Sequence, residues 1–360
     1  YEIRNCDWSS DVCSSDLLVV IDTNTGEAVA RLEESRIIRA ADWHADGRRI
    51  AVGAGPDLVI WDISSGETSR LERLAGGQNV MDADWTRDGK LVVSGTVVPY
   101  LFDPAETRAQ PLPLTILTGH LYNADFTDVS GMIAYPSADR GVYLVSLKTR
   151  RRTKVFQGHV KAIFAAVWSP DGKKLLSAGD EGVRIWQVGK GDPEKVWQGH
   201  PNSVQWNPVT DELAVGHMLA VTTLDAKRFE KLDRYSIGEH HYMSSWSPDG
   251  QRIAVTSATN LTVWARGGTE PLWNSPVTRK RSDYPGGLSW EPGGERIMHG
   301  IHTSTFSLYS ARDGVLLRKW DVTTRTFAWH PDGKRLAYET THGQIKLADP
   351  ETGDIVKELS

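Results

Sequence analysis

Short apolar runs of about six residues, most of them alternating or β-branched, recur along the chain and are separated by Gly, Pro, Asp and Asn. In "IFAAVWSPDGKKLLSAG", for example, a strand-length run ends at Trp168, an Asp-Gly turn follows, and a second run begins at Lys174. "GVRIWQV" and "EKVWQG" then supply two more runs, so one unit reads as four short strands. Turn signals at 8–12-residue intervals between β-rich segments predict an all-β fold, and helical spacing fits nowhere over a useful length.

The chain holds fourteen tryptophans, spread rather than clustered, and aligning on them exposes a repeat. The anchors are Trp43, Trp85, Phe126, Trp168, Trp206, Trp246, Trp290 and Trp329, at steps of 42, 41, 42, 38, 40, 44 and 39 residues. A period near 40 residues means one supersecondary unit that cannot bury its faces alone. Eight four-stranded repeats arranged radially give a β-propeller, which hides most sheet edges by closing a ring. Ahead of them "LLVVIDTNTGEAVARLE" matches only the third and fourth strands of a unit, as "IKLADPETGDIVKELS" does at the C-terminus. Residues 18–39 are therefore expected to be a partial blade and residues 40–360 the propeller. Because the last unit supplies four strands of its own, two outcomes are expected. Either eight blades close and the leading half blade hangs free, or seven close and the chain continues upstream.

Over Leu18 to Ser360 the chain resembles the WD-repeat propellers. The resemblance rests on the W-x-P-D-G turns, on "IWD" at Ile60–Asp62 and "RIWQ" at Arg184–Gln187, and on the Gly-His pairs ending at His120, His159 and His200. It implies a stabilising tetrad that only the Trp168 unit can complete, from His159, Ser177, Asp180 and Trp186. His159 stands nine residues before its anchor, whereas His120, His200 and His240 stand only six before theirs. The Ser177-to-Asp180 spacing is one residue short of the family pattern, so the chain is similar to a degenerate, bacterial-type member and shades toward envelope propellers that share "SPDG" turns. These four residues are expected to form a buried hydrogen-bond chain, since a nucleophile needs an exposed position beside its base.

Residues 1–17 break every one of these patterns. "CDWSSDVCSSDL" back-translates into a string resembling a common short-read sequencing-library adapter, and the segment is expected to be a translated scar rather than a domain. Cys6 and Cys13, the only two cysteines, belong to it, so no disulfide or cysteine metal site is expected. Setting the segment aside removes four acids and one base and moves the net charge from −5 to −2. That is too near neutral to predict a nucleic-acid or membrane-surface binder. The native chain is expected to have been longer, and a cytoplasmic location is the expectation, with a periplasmic one as the alternative.

Sequence signatures of catalysis are missing. There is no H-E-x-x-H metal pattern, no G-x-S-x-G elbow and no G-x-x-x-x-G-K-[ST] phosphate loop, and neither a cofactor nor a metal is expected. "DTNTGE" and "DPETGD" loosely match quinoprotein propellers, but the Trp those enzymes carry shortly after the Thr-Gly is absent. The expectation is a non-enzymatic platform for a protein or peptide partner. The alternative is a propeller enzyme or small-ligand sensor using the central channel, in the manner of quinoproteins or envelope propellers. A third reading is the regulatory part of a larger chain such as a kinase. Binding is expected on the face carrying the connections between units. The longest anchor step places Arg279, Lys280, Arg281 and Tyr284 there, residue types common at binding hot spots. His240, His241, Tyr242 and Tyr122 are further candidates for that face. The basic run Lys148–Lys154 falls in a turn on the opposite face and reads as solvated surface.

Overall fold

A computed structural model describes residues 16–360, apart from 74–78, 87, 96–98, 106–109, 112–130, 138, 189–192, 239, 278–284, 302–304, 321–326, 341–344, 349–354 and 360. Blades are named below by their anchor. In the Trp168 blade the strands Ile163–Trp168, Lys174–Gly179, Gly182–Gln187 and Pro193–Gln198 pair antiparallel in chain order. Eight antiparallel sheets form the ring, five of them four-stranded in this order. The Phe126 unit shows three strands among the described residues, Met132–Pro136, Gly141–Ser146 and Arg151–Gln157, and Phe126 itself lies outside them.

The glycine turn after six of the anchors, Asp-Gly in five and Gly-Gly after Trp290, follows from local chemistry. Gly47, Gly89, Gly172, Gly250, Gly294 and Gly333, each four residues past its anchor, have φ between 66° and 78°, a region that a Cβ disfavours. The residue after the anchor often closes the turn: Ser169 Oγ donates to Asp171 Oδ1 at 2.7 Å and Ser247 Oγ to Asp249 Oδ1 at 2.5 Å. Two residues further on, an Arg at the start of the second strand lies over the next blade's anchor. Arg49 sits over Trp85, Arg252 over Trp290, Arg296 over Trp329 and Arg335 over Trp43, at 5.0–5.7 Å from the ring centres.

At five seams neighbouring blades are also joined at the inner strands, by one of two bonds. Where the residue before the anchor is Asp42 or Gln205, its side chain accepts the amide of the next anchor, Trp85 at 3.0 Å or Trp246 at 3.2 Å. Where it is Ala328, Val167 or Ser245, the next anchor's indole donates to its carbonyl instead. Trp43, Trp206 and Trp290 do so at 3.2, 3.1 and 2.9 Å. A long polar side chain and a long indole thus substitute for each other across the same gap.

Ring closure takes neither of the two forms expected from the repeats. The blade of Trp329 is built from both ends of the chain: Phe327–Trp329 and Arg335–Thr340 form its inner half, Asp16–Asp22 and Ala28–Glu34 its outer half. The joining register runs from Leu17 opposite Thr340 to Asp22 opposite Arg335. The strand therefore begins at Asp16, and the boundary expected at residue 18 falls inside it. The last hairpin, Ile345–Ala348 and Ile355–Leu359, is displaced onto the outer edge of the Trp290 blade, which becomes six-stranded.

Packing explains which hairpin takes the slot. Leu18, Val19, Val20 and Ile21 are all fully buried, because this strand is covered on both sides. Leu17, Val19 and Ile21 pack with Met298, Phe306, Trp320 and Tyr338, while Leu18 and Val20 pack with Ile38, Trp43, Val52 and Trp61. Aligned on their turn aspartates, Asp22 and Asp349, the competing hairpin would place Gln344, Lys346 and Ala348 where Leu17, Val19 and Ile21 stand. Burying the ammonium of Lys346 unpaired would cost several kcal/mol in effective terms, whereas each buried aliphatic side chain contributes about 1.5–3 kcal/mol.

Candidate binding face

The connections between blades and the turns between second and third strands share one face of the ring, here the upper face. In the Trp168 blade this edge carries a buried polar chain. Trp186 Nε1 donates to Ser177 Oγ at 2.7 Å, Ser177 lies 2.6 Å from His159 Nε2, and His159 Nδ1 lies 2.7 Å from Glu181 Oε1. A carboxylate can only accept, so Nδ1 carries the proton and Nε2 accepts from the Ser177 hydroxyl. Burial pushes His159 below its ordinary pKa, against the pull of Glu181. Burial pushes Glu181 up, but hydrogen bonds from the Val160 amide, its own amide and His159 prevail and hold it below the usual range.

The acid of this chain is Glu181, not Asp180 as the sequence suggested. The side chain of Asp180 makes no hydrogen bond among the described residues, and its carbonyl accepts from His200 Nδ1 at 2.9 Å. The extra residue of reach restores the spacing that looked one short. Ser–His–acid is also the order of a hydrolytic triad, yet Ser177 and Trp186 have no exposed surface. The hydroxyl that a substrate would have to meet is enclosed and already accepts the indole proton, so the chain ties strands and connection together.

An arc across the Trp168, Trp206 and Trp246 blades continues from this point. The turn His217–Leu219 of the Trp206 blade leaves Met218 66% and Leu219 49% exposed, and Val160, beside Glu181, is 64% exposed. Backbone bonds fix this turn on both sides: His241 N of the next blade donates to the Met218 carbonyl at 2.9 Å, and Ile237 N, just past the same blade's fourth strand, to the Leu219 carbonyl at 3.0 Å. The ring of His217 lies 6.3 Å from that of Trp197 on the preceding blade. At the far end the exposed His240 ring lies 5.0 Å from the ring of Tyr242. At the upper edge of the Trp168 blade, between the connection that enters it and the one that leaves it, opens a cleft of about 410 Å³, lined by Val160, Lys161, Glu181, Arg184, Gln198 and His200 together with two glycines.

The candidate residues divide under this geometry. His240 and Tyr242 reach the upper face. His241 does not: it is fully buried, with Nδ1 2.9 Å from Asn202 Oδ1, and burial pushes its pKa down to about 4, with His217 and His240 adding. Strand alternation turns adjacent residues to opposite sides, so only one of the two histidines could face outward. Arg279, Lys280, Arg281, Tyr284 and Tyr122 lie outside the described residues. The Lys148–Lys154 run sits in the third-to-fourth-strand turn, with Arg152 over Tyr143 and Lys154 over Phe156. The anchors Trp43, Trp168, Trp206, Trp246 and Trp290 are buried, and Trp85 and Trp329 are half-buried. Sequence reasoning passed over Val160, Met218 and Leu219. The available signal was an apolar pair in a turn whose counterparts in most other units are small or polar, Val97-Val98 of the Trp85 unit being the exception.

Elsewhere, on the inner strands, burial raises Asp42 to about 6 and Asp82 to about 6. Among the described residues no group of three or more potential ligand side chains is placed to hold a metal ion.

These features define the class: an eight-bladed β-propeller whose polar chain sits at one blade's upper edge. A model of the WD domain, G-beta repeat, matches residues 150–187, and one of the anaphase-promoting complex subunit 4 WD40 domain matches 319–360. In these segments and in its fold the chain is similar to the WD-repeat β-propellers. It is 24% identical to the periodic tryptophan protein 2 homolog of Caenorhabditis elegans over 98% of this chain and 37% of that protein. With THO complex subunit 3 of Arabidopsis thaliana the identity is 23%, over 56% of this chain and 66% of that protein. The C-terminal WD40 domain of Sif2 superposes with a TM-score of 0.64 at 20% identity, covering 78% of this chain and 85% of that domain. The chain thus spans well under half of the first of these relatives.

Proposed function

We propose that the chain is a non-catalytic platform that holds a partner protein or peptide on its upper face, across the Trp168, Trp206 and Trp246 blades. The observation that carries this reading is the exposure of Val160, Met218 and Leu219 on the face where the connections meet, next to the His240–Tyr242 pair. Apolar side chains held on rigid turns lose little entropy on binding, which favours recognition over solvation. Membership of an assembly, stated in the name of THO complex subunit 3, supports the same role. The Arg279–Tyr284 loop would add guanidinium groups and an aromatic ring to that face. WD-repeat propellers are generally interaction modules, and a role as the regulatory part of a longer protein fits this platform.

The test is quantitative capture by the wild-type chain and two variants. Met218→Ser with Leu219→Ser, and separately Arg279, Arg281 and Tyr284 all to Ala, are expected to weaken a captured partner at least roughly tenfold, given hot-spot costs above about 1 kcal/mol. Both should melt within about 2 °C of wild type, since exposed substitutions cost at most ~0.5 kcal/mol. Undiminished capture by both, with loss instead on changing Arg150, Arg151 and Arg152 on the lower face, would overturn the choice of face.

A further inference from the structure

The cleft at the upper edge of the Trp168 blade carries positive charge that the fold answers only with one distant carboxylate. Arg184 projects from the third strand, and only 15% of its side chain is exposed. Among the described residues its guanidinium makes no hydrogen bond, and its Nε is buried without a partner. Among the described residues its one carboxylate neighbour is Glu181 Oε1, 3.9 Å away, beyond hydrogen-bonding distance. That oxygen already accepts from His159 at 2.7 Å and from the Val160 amide at 3.0 Å. Exposed Lys161, on the same wall, has no acid within ion-pair distance among the described residues. A largely desolvated guanidinium left short of acceptors is costly, and an anion is what would satisfy it.

Shape and surroundings point to the source of that anion. The cleft, about 410 Å³, falls in the range of ~300–1,000 Å³ typical of sites for small groups. Its mouth is bordered by two connecting segments, at Val160–Lys161 and Gly199–His200, and by the exposed Val160 side chain. An apolar lip beside buried positive charge suits a peptide whose anionic side chain enters while an apolar neighbour stays at the rim. Glu181 Oε1 is taken by His159 and the Val160 amide while its Oε2 is buried without a partner among the described residues, so two cations facing the cleft, Arg184 and Lys161, stand against one carboxylate.

We propose that this cleft binds the anionic side chain of a partner peptide, a carboxylate or a phosphate, with Arg184 as the principal partner and Lys161 as the second charge. The proposal rests on the platform reading and names a chemistry for part of that face.

Fluorescence anisotropy with the full chain tests it. The probe is the labelled peptide Gly-Ala-Leu-Glu-Leu-Ala-Gly, capped at its C-terminus, with versions carrying Gln or phosphoserine in place of Glu. The Gln peptide should bind at least roughly tenfold more weakly than one of the two anionic peptides, as expected for loss of a charge-assisted bond. Which anionic peptide binds better identifies the group. Arg184→Gln should abolish that preference, and Lys161→Ala should weaken the anionic peptide about threefold, since one more exposed charge contributes under ~1 kcal/mol. Equal binding of the Gln peptide, or a preference undiminished in both variants, overturns the proposal. Should Arg184→Gln fail to fold, Lys161→Glu decides, because reversing an exposed charge must weaken the anionic peptides and spare the Gln peptide. The two readings fail separately. If the peptide preference is absent while Met218→Ser with Leu219→Ser still strips partners, the cleft assignment is wrong and the platform stands; the reverse result removes the platform's chosen surface and leaves the cleft.

Discussion

The Trp168 and Trp329 blades fill the same two positions with opposite chemistry. Nine residues before and nine after the anchor stand His159 and Ser177 in one, Trp320 and Tyr338 in the other. In the first, each ring nitrogen and hydroxyl of the chain from Trp186 to Glu181 has a partner. In the second, Trp320 stacks on Phe306 at 4.6 Å and 8°, Tyr338 packs on the same ring at 4.6 Å, and the Trp320 Nε1 and Tyr338 hydroxyl are buried without partners among the described residues. A third solution appears in the Trp43 blade, where buried Glu34, nine before its anchor, pairs with Arg70 at 2.6 Å and Arg70 with Asp57 at 3.0 Å. What the repeat conserves here is the need to fill a gap between blades and secure the incoming connection. Hydrogen bonds, stacked rings or an ion triad each meet that need.

The largest test concerns how the Trp329 blade is assembled. Deleting residues 1–34 removes Leu17 to Ile21 from two apolar clusters, at about 1.5–3 kcal/mol each, and is expected to unfold the chain or open the ring. Deleting 341–360 is expected to cost under about 2 kcal/mol in urea melts, since that hairpin is held by one outer edge. Equal costs would show that the two hairpins share the slot. The adapter reading of residues 1–17 is tested by a shorter deletion of 1–15, which should leave stability within about 1 kcal/mol of wild type.

Next in size, Trp320→Ala and Trp186→Ala should each cost about 3–5 kcal/mol, because both empty a large buried volume. They differ in what pH does to them. His159 has a lowered pKa in the folded chain, so its contribution is full above the unfolded value of about 6.5 and fades as the pH falls through the folded one. Glu181, also lowered, fades in the same direction at still lower pH. The cost of His159→Ala, ~1–3 kcal/mol at pH 7.5, should therefore shrink at pH 5. The cost of Trp320→Ala should not change. Matched urea titrations at the two pH values would show a parallel loss if the histidine is not held neutral by the fold.

The smallest pair isolates the hydroxyls. Ser177→Ala strands the Trp186 indole and His159 Nε2 and is expected to cost ~1–3 kcal/mol. Tyr338→Phe removes a group that has no partner among the described residues and should change stability by under about 0.5 kcal/mol, or raise it. A Tyr338→Phe loss above that of Ser177→Ala would mean the aromatic blade hides a hydrogen bond.

Spacing alone determined the blades. The anchors, the Asp-Gly turns and the positions of His159, Ser177 and Trp186 are local or periodic, so each is written within about 40 residues of chain. Tertiary structure decided the matters in which two local candidates compete for one partner. Glu181 and Asp180 are neighbours in one turn, and only the path of the Gly158–Val160 connection selects the first. His240 and His241 are likewise adjacent, and the Asn202 side chain from another blade draws in the second. Two hairpins of similar pattern exist for the last blade, and the choice rests on whether Val19 or Lys346 must be buried between Trp290 and Trp329 blades more than 250 residues away from the first. Periodicity specifies what a segment can form; desolvation at a distant surface specifies which of the capable segments forms it.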